Sequence, residues 1–338
     1  MRLSLLVLTA SICLLPTLTR QAQASTWPKL PEAVQEIYPT VFENQIWVAG
    51  GISSSLPQSQ GNMTAKVHYW STEFKQWQGV ADLPEGRHHT YLQAVGDKLF
   101  AFGGFIHSAQ GQWLNTADVL LFDKAKNTWT RVAKMPVPLS ETVGAVLNGN
   151  IHLVGGRSPH SDQNGQWQHS SDIARHFVFD PTTLTFSEAK PLPKALNSAA
   201  SVQYQGRWIV LGGRQFGGGN LPEVLEYLVD ENRWQVLEKM PEGRAGHAAA
   251  VLNNSIYVFG GEHENGVYQD ILCYAFATGQ WQVVGKWPMP QHGLGAVTLN
   301  DEIWLIGGAS RPGLAETSAL LASAKPLIQD AKCESPKK

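Results

Sequence analysis

Short apolar runs recur along the chain, and each ends on a pair of glycines. The runs are Ile46-Trp47-Val48, Leu99 to Phe102, Ile151 to Val154, Trp208 to Leu211, Ile256 to Phe259 and Ile303 to Ile306. The doublets are Gly50-Gly51, Gly103-Gly104, Gly155-Gly156, Gly212-Gly213, Gly260-Gly261 and Gly307-Gly308. Runs this short, rich in β-branched and aromatic side chains, predict strands rather than helices. Asn148-Gly149, Gln205-Gly206, Asn253-Asn254 and Asn300-Asp301 precede four of them and suit tight hairpins. Before those turns stand strands of small residues, such as Val143-Gly144-Ala145-Val146 and Ala248-Ala249-Ala250-Val251.

The spacing is a repeat. First glycines are separated by 53, 52, 57, 48 and 47 residues, and every doublet has a proline 19 residues upstream: Pro31, Pro84, Pro136, Pro193, Pro241 and Pro288. A bulky aromatic lies 26 residues before five doublets, at Trp77, Trp129, Phe186, Trp234 and Trp281. Another lies seven residues before each of those, at Trp70, Phe122, Phe179, Tyr227 and Tyr274. Two strands before each doublet and two aromatic-marked strands after it make four antiparallel strands per repeat. Length varies only between a doublet and the next aromatic, so a constant frame carries variable loops.

A Gly doublet after an apolar strand, then an aromatic, a tryptophan seven residues on, and Leu/Met-Pro before the next repeat resembles the kelch family. The resemblance covers nearly all of residues 25–325 and implies an all-β, six-bladed kelch-type β-propeller. The last doublet has no following tryptophan, whereas Trp27 and Leu30-Pro31 form a lone fourth-strand signature with no doublet before it. The ring is therefore expected to close through the N-terminal strand, which completes the last blade and removes an open edge. A strand is also expected at Ser318-Ala319-Leu320-Leu321.

Composition narrows the setting. The 338 residues include 26 Lys+Arg and 28 Asp+Glu, with 16% charged and 43% hydrophobic positions. Nucleic acid is set aside as a partner, because phosphate neutralisation needs a basic footprint. Arg2, the apolar stretch from Leu3 to Leu15 and Ala22-Gln23-Ala24 read as a signal peptide over residues 1–24, too short to span a membrane. The protein is expected to be exported, periplasmic or secreted. Residues 326–338 read as a C-terminal tail, and Cys273 and Cys333 remain after cleavage, with their pairing left open.

In a four-stranded meander the loops after each doublet and after each conserved proline share a face, so that face is the expected site. Besides Glu36 and Asn197 it collects ligand-binding candidates Arg87, His88, His89, Arg157, Arg214, Arg244 and His292, and catalytic candidates Glu141, Glu262, His247 and His263. Arg87 and Arg244 occupy one register and have an equally strong reading as ties between blades. The frame tryptophans read as core, and Phe105, Trp113, Trp167 and Phe216 as loop aromatics. His160, His169 and His176 with Asp162 and Asp172 match no metal spacing, so neither metal nor cofactor is expected.

Two functions fit. One is a binding module for a glycan, small molecule or envelope protein. The other follows from similarity to bacterial N-acetylneuraminate epimerases, small exported kelch propellers, and implies a cofactor-independent sugar mutarotase. Arg214 and Asn220 stand where that family has an acidic residue and a nearby arginine, and a long middle-blade insertion is missing.

Overall fold

The computed structural model describes residues 27–328 and Cys333. The expected signal peptide lies outside the described residues. Five four-strand antiparallel meanders follow one another along the chain. In the first, Thr40–Phe42, Gln45–Ala49, Val67–Ser71 and Gln76–Gly79 pair in sequence order. The second through fifth repeat this order, beginning at Tyr91–Val95, Val143–Leu147, Ala200–Tyr204 and Ala245–Leu252. The last sheet has His292–Thr298 against Ile303–Arg311, which in turn pairs with Leu321–Ser323. That third strand lies later than the expected Ser318 to Leu321, because its register is set by Trp304 opposite Ser323.

Apolar clusters lie between neighbouring sheets. Phe100 and Phe102 of the second meander pack with Ile151, Leu153, Phe177 and Phe179 of the third. Leu30, Val34 and Ile37 join Ile46 and Trp70 of the first meander to Trp304, Ile306 and Leu321 of the last sheet. Each sheet therefore buries both faces against neighbours, the packing that defines a β-propeller.

The glycine doublets are the joints of this packing. Gly104 N donates to Leu139 O at 2.8 Å, and a Cβ on Gly103 would lie 2.0 Å from that oxygen. Both glycines have positive φ, 51° and 92°, so they alone let the second strand turn against the next meander's entry segment. The same bond runs from Gly51 to Arg87, Gly156 to Leu196, Gly213 to Arg244 and Gly261 to Gln291. Gly308 N donates to Val34 O at 2.9 Å, in the N-terminal segment.

That segment is not a regular strand. Leu30 N and Val34 N donate to Ala319 O and Ser318 O, while Trp27 packs edge-on against Trp304 with centroids 4.9 Å apart. At the other end, the short helix Lys325–Ile328 leads the chain back to the fifth meander, and Cys333 forms a disulfide with Cys273, Cα atoms 6.0 Å apart. The pairing left open by the sequence is thus made.

Candidate binding site on the channel axis

The site begins with a backbone register. The residue four positions after each conserved proline bridges to the residue two positions after the first glycine of a doublet. The pairs are Gln35 with Ile52, His88 with Phe105, Ser140 with Arg157, Asn197 with Arg214, Ala245 with Glu262 and His292 with Ala309. The two loop families expected to share a face are therefore bonded to each other.

One position further on, Glu36, His89, Glu141, Ser198, Gly246 and Gly293 all have positive φ between 50° and 62°. This left-handed step turns each chain inward before its innermost strand begins. The backbones meet there: Glu36 N donates to Gly293 O at 2.7 Å, His89 N to Glu36 O at 3.0 Å, Ser198 N to Glu141 O at 3.3 Å and Gly246 N to Ser198 O at 2.9 Å.

Side chains from this register form a girdle of alternating charge. His89 Nε2 lies 2.9 Å from Glu36 Oε2, and His89 Nδ1 lies 2.7 Å from His88 Nδ1. His292 Nδ1 faces Glu36 at 3.5 Å and Glu262 at 3.6 Å, while its Nε2 donates to Arg311 O at 2.7 Å. Arg214 Nη1 reaches Glu262 Oε1 at 2.5 Å and its Nε donates to Asn197 Oδ1 at 3.2 Å. Ser198 Oγ donates to Glu141 Oε2 at 2.6 Å. Glu141 is 1% exposed, and its Oε1 has no hydrogen-bond partner among the described residues.

Burial opposes every charge here, and the neighbours decide the balance. Burial pushes the Glu36 carboxyl up, yet His89 and His292 together hold it well below its ordinary value. Burial lowers His89 and His292, yet Glu36 carries both above theirs. Burial first, and then the charge that His89 carries when protonated, hold His88 well below its ordinary value. Tyr38, beneath the girdle, is raised well above the phenol range by burial and by the charges of Glu141 and Glu36.

The remaining candidates fall elsewhere. Arg87 and Arg244 are wholly buried and turn away from the girdle. Arg87 binds Gly103 O and Glu85, and Arg244 binds Gly260 O, Asp270 O and Glu242, so their donors serve the joint between sheets. His247 is buried on the channel wall with its imidazole lowered to about 3, first by burial and then by Arg244. His263 packs on Tyr268 in a hairpin loop, and its Nδ1 accepts from Asn265 N at 3.3 Å. Arg157 is buried beside the girdle under Trp167, 3.6 Å from the ring centroid, with Phe216 at 5.1 Å. His176 is spent in the core, paired with His152 at 2.9 Å.

Residues 46–310 match the Attractin/LZTR1 beta-propeller family. The chain belongs to that family. Among curated relatives, the Kelch-like protein terF of Aspergillus terreus is 26% identical over 76% of this chain and 58% of its own length. Kelch-like protein 25 of Xenopus tropicalis is 28% identical over 60% of this chain and 33% of its own length. The chain thus spans about half or less of these two relatives. The N-acetylneuraminate epimerase of Pasteurella multocida is 26% identical over 77% of this chain and 61% of its own length. A solved structure of YjhT superposes with a TM-score of 0.74 at 18% identity, covering 87% of this chain and 95% of that one. This member of the propeller family is a kelch-repeat protein with distant similarity to the epimerase.

Two site residues were absent from the sequence reading, Ser198 and Tyr38. The signal for Ser198 was present as a register: it stands five residues after Pro193, as Glu36, His89 and Glu141 stand after their own prolines.

Proposed function

We propose that the protein is an exported six-bladed propeller, closed by its N-terminal segment, that binds a small polar ligand of the carbohydrate class at the girdle. The carrying observation is the buried Glu141 carboxylate with one oxygen unpartnered, set among groups of alternating charge on the axis. A buried acceptor left empty is costly, and a ligand hydroxyl satisfies it. The disulfide supports export, because such bonds persist in oxidising compartments. Closure is supported by Gly308 and Val34, which repeat the bond made at the five other doublets.

A second reading is anomer interconversion, favoured by the epimerase relative and by the buried Glu141 carboxyl, whose charge acts on the Tyr38 phenol. Ring opening requires a base to take the anomeric hydroxyl proton and an acid to protonate the ring oxygen. Glu141 Oε1 suits the first role and the Tyr38 phenol the second, and a substrate carboxylate would meet Arg214 by displacing Glu262.

One experiment separates the readings. The mature protein is titrated with a panel of sugars by calorimetry, and the anomeric proton signals of freshly dissolved N-acetylneuraminate are followed with and without it. Faster equilibration, lost in Glu141→Gln with folding intact, supports catalysis. Binding without acceleration supports the module, and neither binding nor acceleration rejects both.

A further inference from the structure

A second concavity lies at the other end of the axis, on the face that carries the two-residue turns. It has a volume of about 660 Å³ and is lined by Pro39, the innermost strands of the fourth, fifth and last sheets, and the start of the first. It shares Pro39, Ser201, Ala249 and Ala296 with a narrower cavity along the channel, where Tyr38 and Tyr91 also stand. None of the girdle residues lines it.

Its chemistry differs from that of the girdle. Asp301 is its one ionisable carboxylate, and the lining contains no Lys, Arg or His. Apart from Ser201, Gln203 and Thr298, whose side chains bond neighbouring strands, its hydrogen-bonding side chains are Thr40, Tyr204, Asn253 and Asn254, all neutral. Tyr204 is held as a flat wall, stacked on Phe276 with centroids 5.2 Å apart and planes 11° apart, while Arg207 lies 4.7 Å from the far ring's centroid. An aromatic face beside convergent neutral donors and acceptors is the pairing that a sugar ring meets, with its C–H face on one and its hydroxyls on the other.

Competing ligands fit less well. An anion meets Asp301 and no cation. An extended peptide needs free strand edges, and the innermost strands of the third and fifth meanders have edge groups already taken by side chains. Thr298 Oγ1 donates to Val251 O at 2.6 Å, Ser201 Oγ and Tyr91 Oη donate to Gly144 O at 3.0 and 2.7 Å, and Gln203 Oε1 accepts from Val146 N at 3.1 Å.

We propose that this turn-face cavity is a second binding site, for a neutral saccharide, independent of the girdle and of the reading given to it. The ¹⁵N-labelled mature protein is titrated with glucose, galactose, N-acetylglucosamine and maltose, and separately with N-acetylneuraminate. At least one neutral sugar is expected to shift the amides of Gln203, Asn253 and Thr298, and the acidic sugar to leave them in place. Thr298→Trp, at an exposed position, fills the cavity, and Tyr204→Ala removes the wall. Each should weaken the neutral sugar roughly tenfold, the loss typical of an anchoring contact, with the parent's circular dichroism spectrum retained. The proposal is overturned if no neutral sugar shifts those amides, if shifts appear only at the girdle, or if both variants bind as the parent does. Glu141→Gln is expected to leave the neutral-sugar shifts intact, so failure of the girdle reading does not affect this outcome.

Discussion

The indole Nε1 of Trp77 donates to the carbonyl of Pro28 at 3.1 Å. Trp129, Trp234 and Trp281 make the same bond to Ala81, Lys190 and Glu238. In all four cases the acceptor lies three residues before a conserved proline, here Pro31, Pro84, Pro193 and Pro241. Pro28 therefore offers the first meander's tryptophan the same kind of carbonyl that Ala81, Lys190 and Glu238, each just past an outermost strand, offer the others.

Removing residues 25–31 is accordingly expected to strip Leu30 from its cluster and Pro28 from Trp77. Loss of one buried leucine and its backbone bonds costs about 4 kcal/mol, which lowers the melting temperature by roughly 8 °C in a domain of this size. Calorimetry of the truncated mature chain checks this. A melting curve superposable on that of the full chain would end the closure argument.

Arg87 and Arg244 offer a contrast with Arg214. The first two are wholly buried with carbonyl and carboxylate acceptors, whereas the Arg214 side chain is 29% exposed. Alanine at Arg87 or Arg244 should cost about 1–3 kcal/mol for each buried carbonyl left without its donor. Lysine should not rescue either, lacking the planar fork that reaches several acceptors at once. Arg214→Ala should weaken ligand binding at a much smaller cost in stability. Urea midpoints for the variants test the ranking, and equal midpoints for Arg87→Ala and Arg214→Ala would contradict it.

How much of this was legible in the sequence depends on which interactions are periodic. The doublets and prolines recur in every repeat and the tryptophan in four, so their spacing revealed the propeller and the shared loop face. Arg87 and Arg244 illustrate the limit. Their type and register fit both a ligand anchor and a joint, and only the direction of the guanidinium, toward Gly103 O and Gly260 O, decides between them. Tyr38 was invisible for a different reason. Its role comes from Glu36, His89 and Glu141 meeting across the axis, and those groups belong to different repeats. The disulfide likewise depends on the tail crossing from the last sheet to the fifth, a path no repeat encodes.

Acid should destabilise the protein through its core histidines. His152 and His176 are each lowered to about 4, first by burial, and for His152 also by its partner. Both fold as neutral rings, so their contribution is complete above the ordinary imidazole value and is lost as pH falls from about 6.5 toward 4. A shift of that size is worth roughly 3 kcal/mol at about 1.4 kcal/mol per pH unit, and the bonded pair titrates as a unit. His89 and His292 act oppositely, since their raised values give stability that fades as pH rises through them. In His152→Gln the amide can still donate to His176 Nε2. The variant should be less stable at pH 7 but lose less on acidification. Melting curves that stay parallel to the parent from pH 7 to pH 4 would exclude the pair as the acid-sensitive element.

The disulfide should stabilise mainly by tethering the unfolded chain. Cys273 and Cys333 are 60 residues apart, and a loop of that length is worth ~4 kcal/mol in the chain-entropy view. Cys273 is fully buried among Ile271, Trp287 and Ile328, so replacing it would also disturb the core. Cys333 is only partly buried, and Cys333→Ser isolates the tether. The variant should unfold at lower urea, and a reductant should bring the parent to the same midpoint while leaving the variant unmoved. Labelling with a thiol reagent after denaturation without reductant should modify neither Cys273 nor Cys333 of the parent. If both are modified, or if reductant shifts the variant as far as the parent, the bond does not carry this stability.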